Sequence, residues 1–117
     1  MLFRSNSATI HYGGAVEAVT GAVSTSTFSN NQAAEYGGAL YFYTYGVGGT
    51  GSITGSTFKR NSAGVSGGAL ALDTKCGPAI SDATVAGVLS GNTWQGNSAR
   101  VMRSTNNVVK ADIVSGC

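Results

Sequence analysis

Proline is almost missing from this chain, with one residue in 117, and only 10% of residues carry charge. There is one His, one Trp and two Cys. Each shortage excludes something. The two cysteines, Cys76 and Cys117, form no C-x-x-C pair, so a zinc or redox motif is unsupported. They suit one disulfide in an oxidising compartment, or equally two buried thiols. The net charge is +2, and Arg4, Lys59, Arg60, Lys75, Arg100, Arg103 and Lys110 never run more than two together. That is too sparse in sequence for a phosphate-tracking patch. No apolar stretch approaches the roughly 18 residues of a membrane-spanning helix. A lone His11 in a turn has no nucleophile beside it and reads as a solvated surface residue. Long 3.6-period stretches are also missing, which argues against a helical solenoid.

What the chain does have is glycine, 18 residues of it, with Ala, Ser, Thr and Asn in abundance. Glycine usage is about 7% in ordinary proteins, so it is roughly doubled here. This composition suits tight turns and short strands better than long helices. Aliphatic residues recur throughout, which argues against disorder.

The residues repeat. Phe3-Arg4-Ser5-Asn6-Ser7-Ala8, Phe28-Ser29-Asn30-Asn31-Gln32-Ala33, Phe58-Lys59-Arg60-Asn61-Ser62-Ala63 and Trp94-Gln95-Gly96-Asn97-Ser98-Ala99 all read aromatic-x-x-Asn-x-Ala. Gly13-Gly14-Ala15-Val16, Gly37-Gly38-Ala39-Leu40 and Gly67-Gly68-Ala69-Leu70 follow the first three copies. The fourth copy has Arg103-Ser104-Thr105 at that point. Val23, Ile53 and Leu89 lie five residues before the aromatic, and Thr27, Thr57 and Thr93 immediately before it. The aromatics are 25, 30 and 36 residues apart. Fixed anchors with growing gaps mean a constant coil carrying loops of different length.

The expected fold is therefore all-β: a parallel β-helix of about four coils with an irregular last one. Leu40/Phe42 and Leu70/Leu72 fall on one strand face, with Val16 and Ala18 matching them, and make the core. Tyr41, Tyr43, Ala71 and Asp73 then point outward. Asn31, Asn61 and Asn97 stack as an amide column and supply the left-handed backbone of a corner. The aromatics stack inside, and the Gly pairs permit positive φ. Val23 and Phe28 are an odd number of positions apart, so both can face inward only across a bend. Residues 1–117 read as a single segment of a longer chain, with inserted loops at 44–52 and 73–87.

The pairing of F-x-x-N with G-G-A-[ILV] resembles the repeats of chlamydial polymorphic membrane proteins. The likeness rests on Phe3/Asn6 with Gly13 to Val16, Phe28/Asn31 with Gly37 to Leu40, and Phe58/Asn61 with Gly67 to Leu70. It implies a right-handed parallel β-helix on a secreted or surface-displayed protein, with adhesive roles. It transfers no catalytic residue and no cofactor. The Trp94 copy departs from the pattern.

Site candidates are few. Glu17, Glu35, Asp73, Asp82 and Asp112 put no two acids in one column or in adjacent columns of neighbouring coils, so no acid–base pair is expected. Tyr36, Tyr41, Tyr43 and Tyr45 cluster, with Tyr12 above Tyr36. They are either strand residues packed under the 44–52 loop or a contact face for a partner protein or sugar. The Thr27/Thr57/Thr93 column is expected inside or at a corner, because an ice-binding array needs a second Thr rank and Thr25 is matched by Gly55 and Gly91. Cys76 could be tied to Cys117 across one coil. The leading expectation is a non-catalytic structural or adhesive segment, extracellular or at the cell surface. It would contact other chains, glycans or further coils at its ends. The rivals are a fragment of a carbohydrate-active β-helix enzyme and an ice-binding solenoid.

Overall fold

The computed structural model describes residues 1–10, 12–18, 22–42, 52–73, 89–99 and 111–114. His11, Tyr43, Tyr45, Cys76, Cys117, the inserted loops apart from Ser52 and Asp73, and Arg103-Ser104-Thr105 lie outside the described residues.

Coil one holds β1 (Leu2–Arg4), β2 (Ser7–Ala8) and β3 (Val16–Ala18). Coil two holds β4 (Ala22–Ser24), β5 (Thr27–Ser29), β6 (Gln32–Ala33) and β7 (Leu40–Phe42). Coil three holds β8 (Ser52–Thr54), β9 (Thr57–Lys59), β10 (Ser62–Ala63) and β11 (Leu70–Asp73). Coil four holds β12 (Leu89–Ser90), β13 (Thr93–Gln95), β14 (Ser98–Ala99) and β15 (Ala111–Val114). Equivalent strands stack in parallel into four sheets: β1-β5-β9-β13, β2-β6-β10-β14, β3-β7-β11-β15 and β4-β8-β12. This is a parallel β-helix, and successive rungs lie about 4.8 Å apart.

The register follows the sequence repeat. Phe3 pairs with Phe28, Phe28 with Phe58 and Phe58 with Trp94. Their rings stack nearly parallel at 4.7, 4.9 and 4.6 Å. Leu40, Phe42, Ile53, Leu70 and Leu72 complete the core, with Val16, Val23 and Leu89 packed against it. The fourth coil closes with β15, which pairs with β11 and takes the place that a G-G-A strand holds in the other coils.

The bend required between Val23 and Phe28 is at Thr25, whose φ is +47°, with Gly55 and Gly91 equivalent at +57° and +66°. It reverses the alternation, so both residues reach the core. The second corner corrects an expectation. Positive φ falls not on the motif Asn but on the residue before it: Ser5, Asn30, Arg60 and Gly96. The Asn keeps ordinary backbone and uses its side chain instead. In the Gly pairs, the first residue carries the positive φ, +66° at Gly37. The second is needed for close approach, because a Cβ on Gly38 would run into the Gly68 carbonyl of the next coil.

Candidate contact surfaces

The motif side chains are spent on building the coil. Asn61 is fully buried. Its Oδ1 accepts from Asn31 N–H and Nδ2, both at 3.0 Å. Its own Nδ2 donates to Asn97 Oδ1 at 2.9 Å and to the Phe28 carbonyl at 3.0 Å. Asn6 donates to Asn31 in the same way. The ladder saturates a buried corner, where an unpaired polar group is costly. It leaves neither motif amide of the middle coils, Asn31 or Asn61, for a ligand.

A second ladder was not anticipated. Ser26 N–H donates to Ser56 Oγ at 3.1 Å, and Ser56 N–H to Asn92 Oδ1 at 3.0 Å. Asn92 Nδ2 reaches the Ile53 carbonyl at 2.7 Å. The signal was available: a Ser, Ser, Asn column two residues before the aromatic. It was hidden because the residue types differ.

Among the tyrosines, Tyr41 is a correction. It points away from the hydrophobic core, yet it is only 2% exposed, and its column neighbour Ala71 is fully buried. The Tyr12 ring stacks on Tyr41 at 4.4 Å and on Tyr36 at 5.4 Å. Tyr41 is therefore a packing residue, and the part of the cluster that reaches solvent is Tyr12 and Tyr36, both half-buried. Ile10, close by in sequence, is 70% exposed.

The Thr column is a second correction. Thr27, Thr57 and Thr93 flank an inward aromatic, so alternation turns them outward; the first two are half-buried and the third exposed. The other outward rank on that sheet is Arg4, Ser29, Lys59 and Gln95, in register. It is not a threonine rank, so the flat double array of an ice-binding face is not built there.

The acids shift as well. The register of β15 places Asp112 in the Glu17–Tyr41–Ala71 column and two positions from the row of Asp73 on the neighbouring strand β11. This corrects the expected separation of the acids, since β15 carries no motif that marks its register in the sequence. Among the described residues, no group of three His, Cys, Asp or Glu could hold a metal ion. No described helix is long and apolar enough to cross a membrane.

Residues 25–43 match the Chlamydia polymorphic membrane protein (Chlamydia_PMP) repeat. The match runs from the corner at Thr25 to just past β7, which is most of coil two. It supports the resemblance carried by Phe28/Asn31 and Gly37 to Leu40, and points to a surface-associated protein segment. No curated protein and no solved structure matches the chain.

Proposed function

We propose that this chain is a non-catalytic β-helical segment of a cell-surface protein, a scaffold that displays adhesive contacts on its flank. One observation carries the reading. The side chains that define the Chlamydia_PMP-like repeat are consumed in coil-internal stacking and hydrogen bonding. They specify a rod, and binding is left to outward positions that vary from coil to coil. Tyr12 and Tyr36, stacked and half-buried, supply an amphipathic patch of the kind that contacts partner proteins or sugars.

The test is adhesion. Beads coated with the chain are expected to bind cultured animal cells. Tyr12→Ser with Tyr36→Ser is expected to cut that binding at least threefold, with the far-UV spectrum unchanged. Undiminished binding by the double variant would remove the tyrosine flank from the reading. Cleavage of any polysaccharide in a panel of acidic and neutral glycans would overturn the non-catalytic assignment.

A further inference from the structure

We infer that the first sheet and the corner leading from it form a polyanion site whose ligand is a sulfated glycan. This rests on the surface-adhesion reading above and names its ligand class. The sequence scatters its cations, but the fold gathers three of them. Arg4 and Lys59 share one outward column, with Ser29 between them and Gln95 beyond. Arg60 occupies the adjoining corner column with Ser5, Asn30 and Gly96, all at positive φ. Arg4 and Lys59 are two rungs apart, about 10 Å along the axis. These three are all the basic side chains among the described residues.

The described acids lie elsewhere. Glu17, Asp73 and Asp112 belong to strands of the third sheet, and Glu35 precedes Tyr36 on the way into it. No strand of the first, second or fourth sheet carries a carboxylate. A chain with net charge of only +2 thus has one face on which positive charge is uncompensated within its own sheet. Arg60 is also held in place. Its Nε donates to Asn30 Oδ1 at 3.1 Å, which leaves the terminal guanidinium nitrogens to present paired N–H groups.

The rest of the face selects among polyanions. Its accessible outward groups are hydroxyls and an amide: Thr27, Thr57, Thr93 and Gln95, with Ser29 buried in the column of Arg4 and Lys59. Every aromatic ring of the sheet is turned inward in the Phe3–Trp94 stack. A single-stranded nucleic acid binds such proteins by stacking bases on outward rings, and none is offered here. A sulfated sugar chain needs only cations spaced along the face with hydroxyl and amide partners beside them, and the face supplies both.

The test uses the whole chain and a sulfated heparin hexasaccharide as probe, with binding measured calorimetrically at low salt. Arg4→Gln, Lys59→Gln and Arg60→Gln combined are expected to weaken binding at least tenfold. Lys75→Gln, Arg103→Gln and Lys110→Gln remove the same charge at other positions of the sequence and are expected to cost less than threefold. Equal losses in the two variants would reduce the effect to net charge and overturn the site. So would failure of the hexasaccharide to bind, equal binding of its desulfated form, or equal binding of an oligothymidylate of matched charge. An unchanged thermal melt checks that the first variant is folded. Tyr12→Ser with Tyr36→Ser should leave hexasaccharide affinity intact, so the glycan site and the tyrosine contact can fail separately.

Discussion

Two corners of this β-helix solve one problem with different residues. Between the fourth and first sheets the chain turns at Thr25, Gly55 and Gly91, then at once places Ser26, Ser56 and Asn92. Between the first and second sheets it turns at Ser5, Asn30, Arg60 and Gly96, then places Asn6, Asn31, Asn61 and Asn97. Both corners pair a left-handed residue with a capping side chain, and in both the cap accepts the N–H of its counterpart one coil earlier. Where the cap is Asn, it also returns a hydrogen bond to a carbonyl of that earlier coil. Asn92 reaches Ile53 as Asn61 reaches Phe28. Where the cap is Ser, the hydroxyl bonds only within its own coil: Ser26 to the Ser24 carbonyl, Ser56 to that of Thr54. An amide therefore ties rungs together in both directions, and a hydroxyl in one.

The comparison sets an order of effects. Asn61→Ala should be the most damaging corner change. It removes the acceptor of Asn31 N–H and the side-chain donor to the Phe28 carbonyl inside a buried column, at about 1–3 kcal/mol for each group left unsatisfied, while Asn31 Nδ2 keeps the Phe3 carbonyl and Asn97 Oδ1 keeps Asn61 N–H. A total loss of about 3–5 kcal/mol is expected in denaturant unfolding, enough to abolish folding in a marginal domain. Ser56→Ala removes one acceptor for Ser26 N–H and should cost about 1–2 kcal/mol. If the two variants cost the same, the distinction between two-way and one-way caps fails.

The same contrast explains how much of the molecule was legible in the sequence. Phe, Asn and Gly-Gly-Ala recur as identical residues, and the stack, the ladder and the coil register followed from them. The Ser26/Ser56/Asn92 corner uses three caps of two types, and its turn residue is Thr once and Gly twice, so no motif marks it. The parity conflict between Val23 and Phe28 was its only trace. Strand β15 was missed for a like reason: Arg103-Ser104-Thr105 replaces the glycine pair, and Ala111–Val114 pairs with β11 without it. Tyr41 was misplaced because strand alternation gives direction but not cover, and the ring that stacks over it, Tyr12, comes from a turn in another coil. The Arg4, Lys59 and Arg60 face was invisible because Arg4 lies 55 residues from Lys59 until the register brings the two into one column.

Smaller changes sharpen the comparison by making one corner more like the other. Thr25 is β-branched at φ +47°, where its counterparts are Gly55 and Gly91. Left-handed backbone costs an L-residue about 1–2 kcal/mol, partly offset by the extra entropy glycine loses on folding. Thr25→Gly should therefore gain about 0.5–1 kcal/mol, read as a higher denaturation midpoint. The parallel change at Asn30 should gain less, because Asn tolerates this region and its Oδ1 holds Arg60.

Ser56→Asn carries the smallest expected effect and the most direct information. It would extend the Asn92 cap by one rung, with Nδ2 placed to reach the Val23 carbonyl as Asn92 reaches that of Ile53. The new hydrogen bonds are each worth about 0.5–1.5 kcal/mol net, and ordering a larger side chain in a buried corner takes back part of that. A gain of about 0.5 kcal/mol is expected from these terms, with the coil register unchanged. A loss of stability would mean that this corner is too tight for consecutive amides. Its Ser caps would then reflect space and not merely a weaker version of the same ladder.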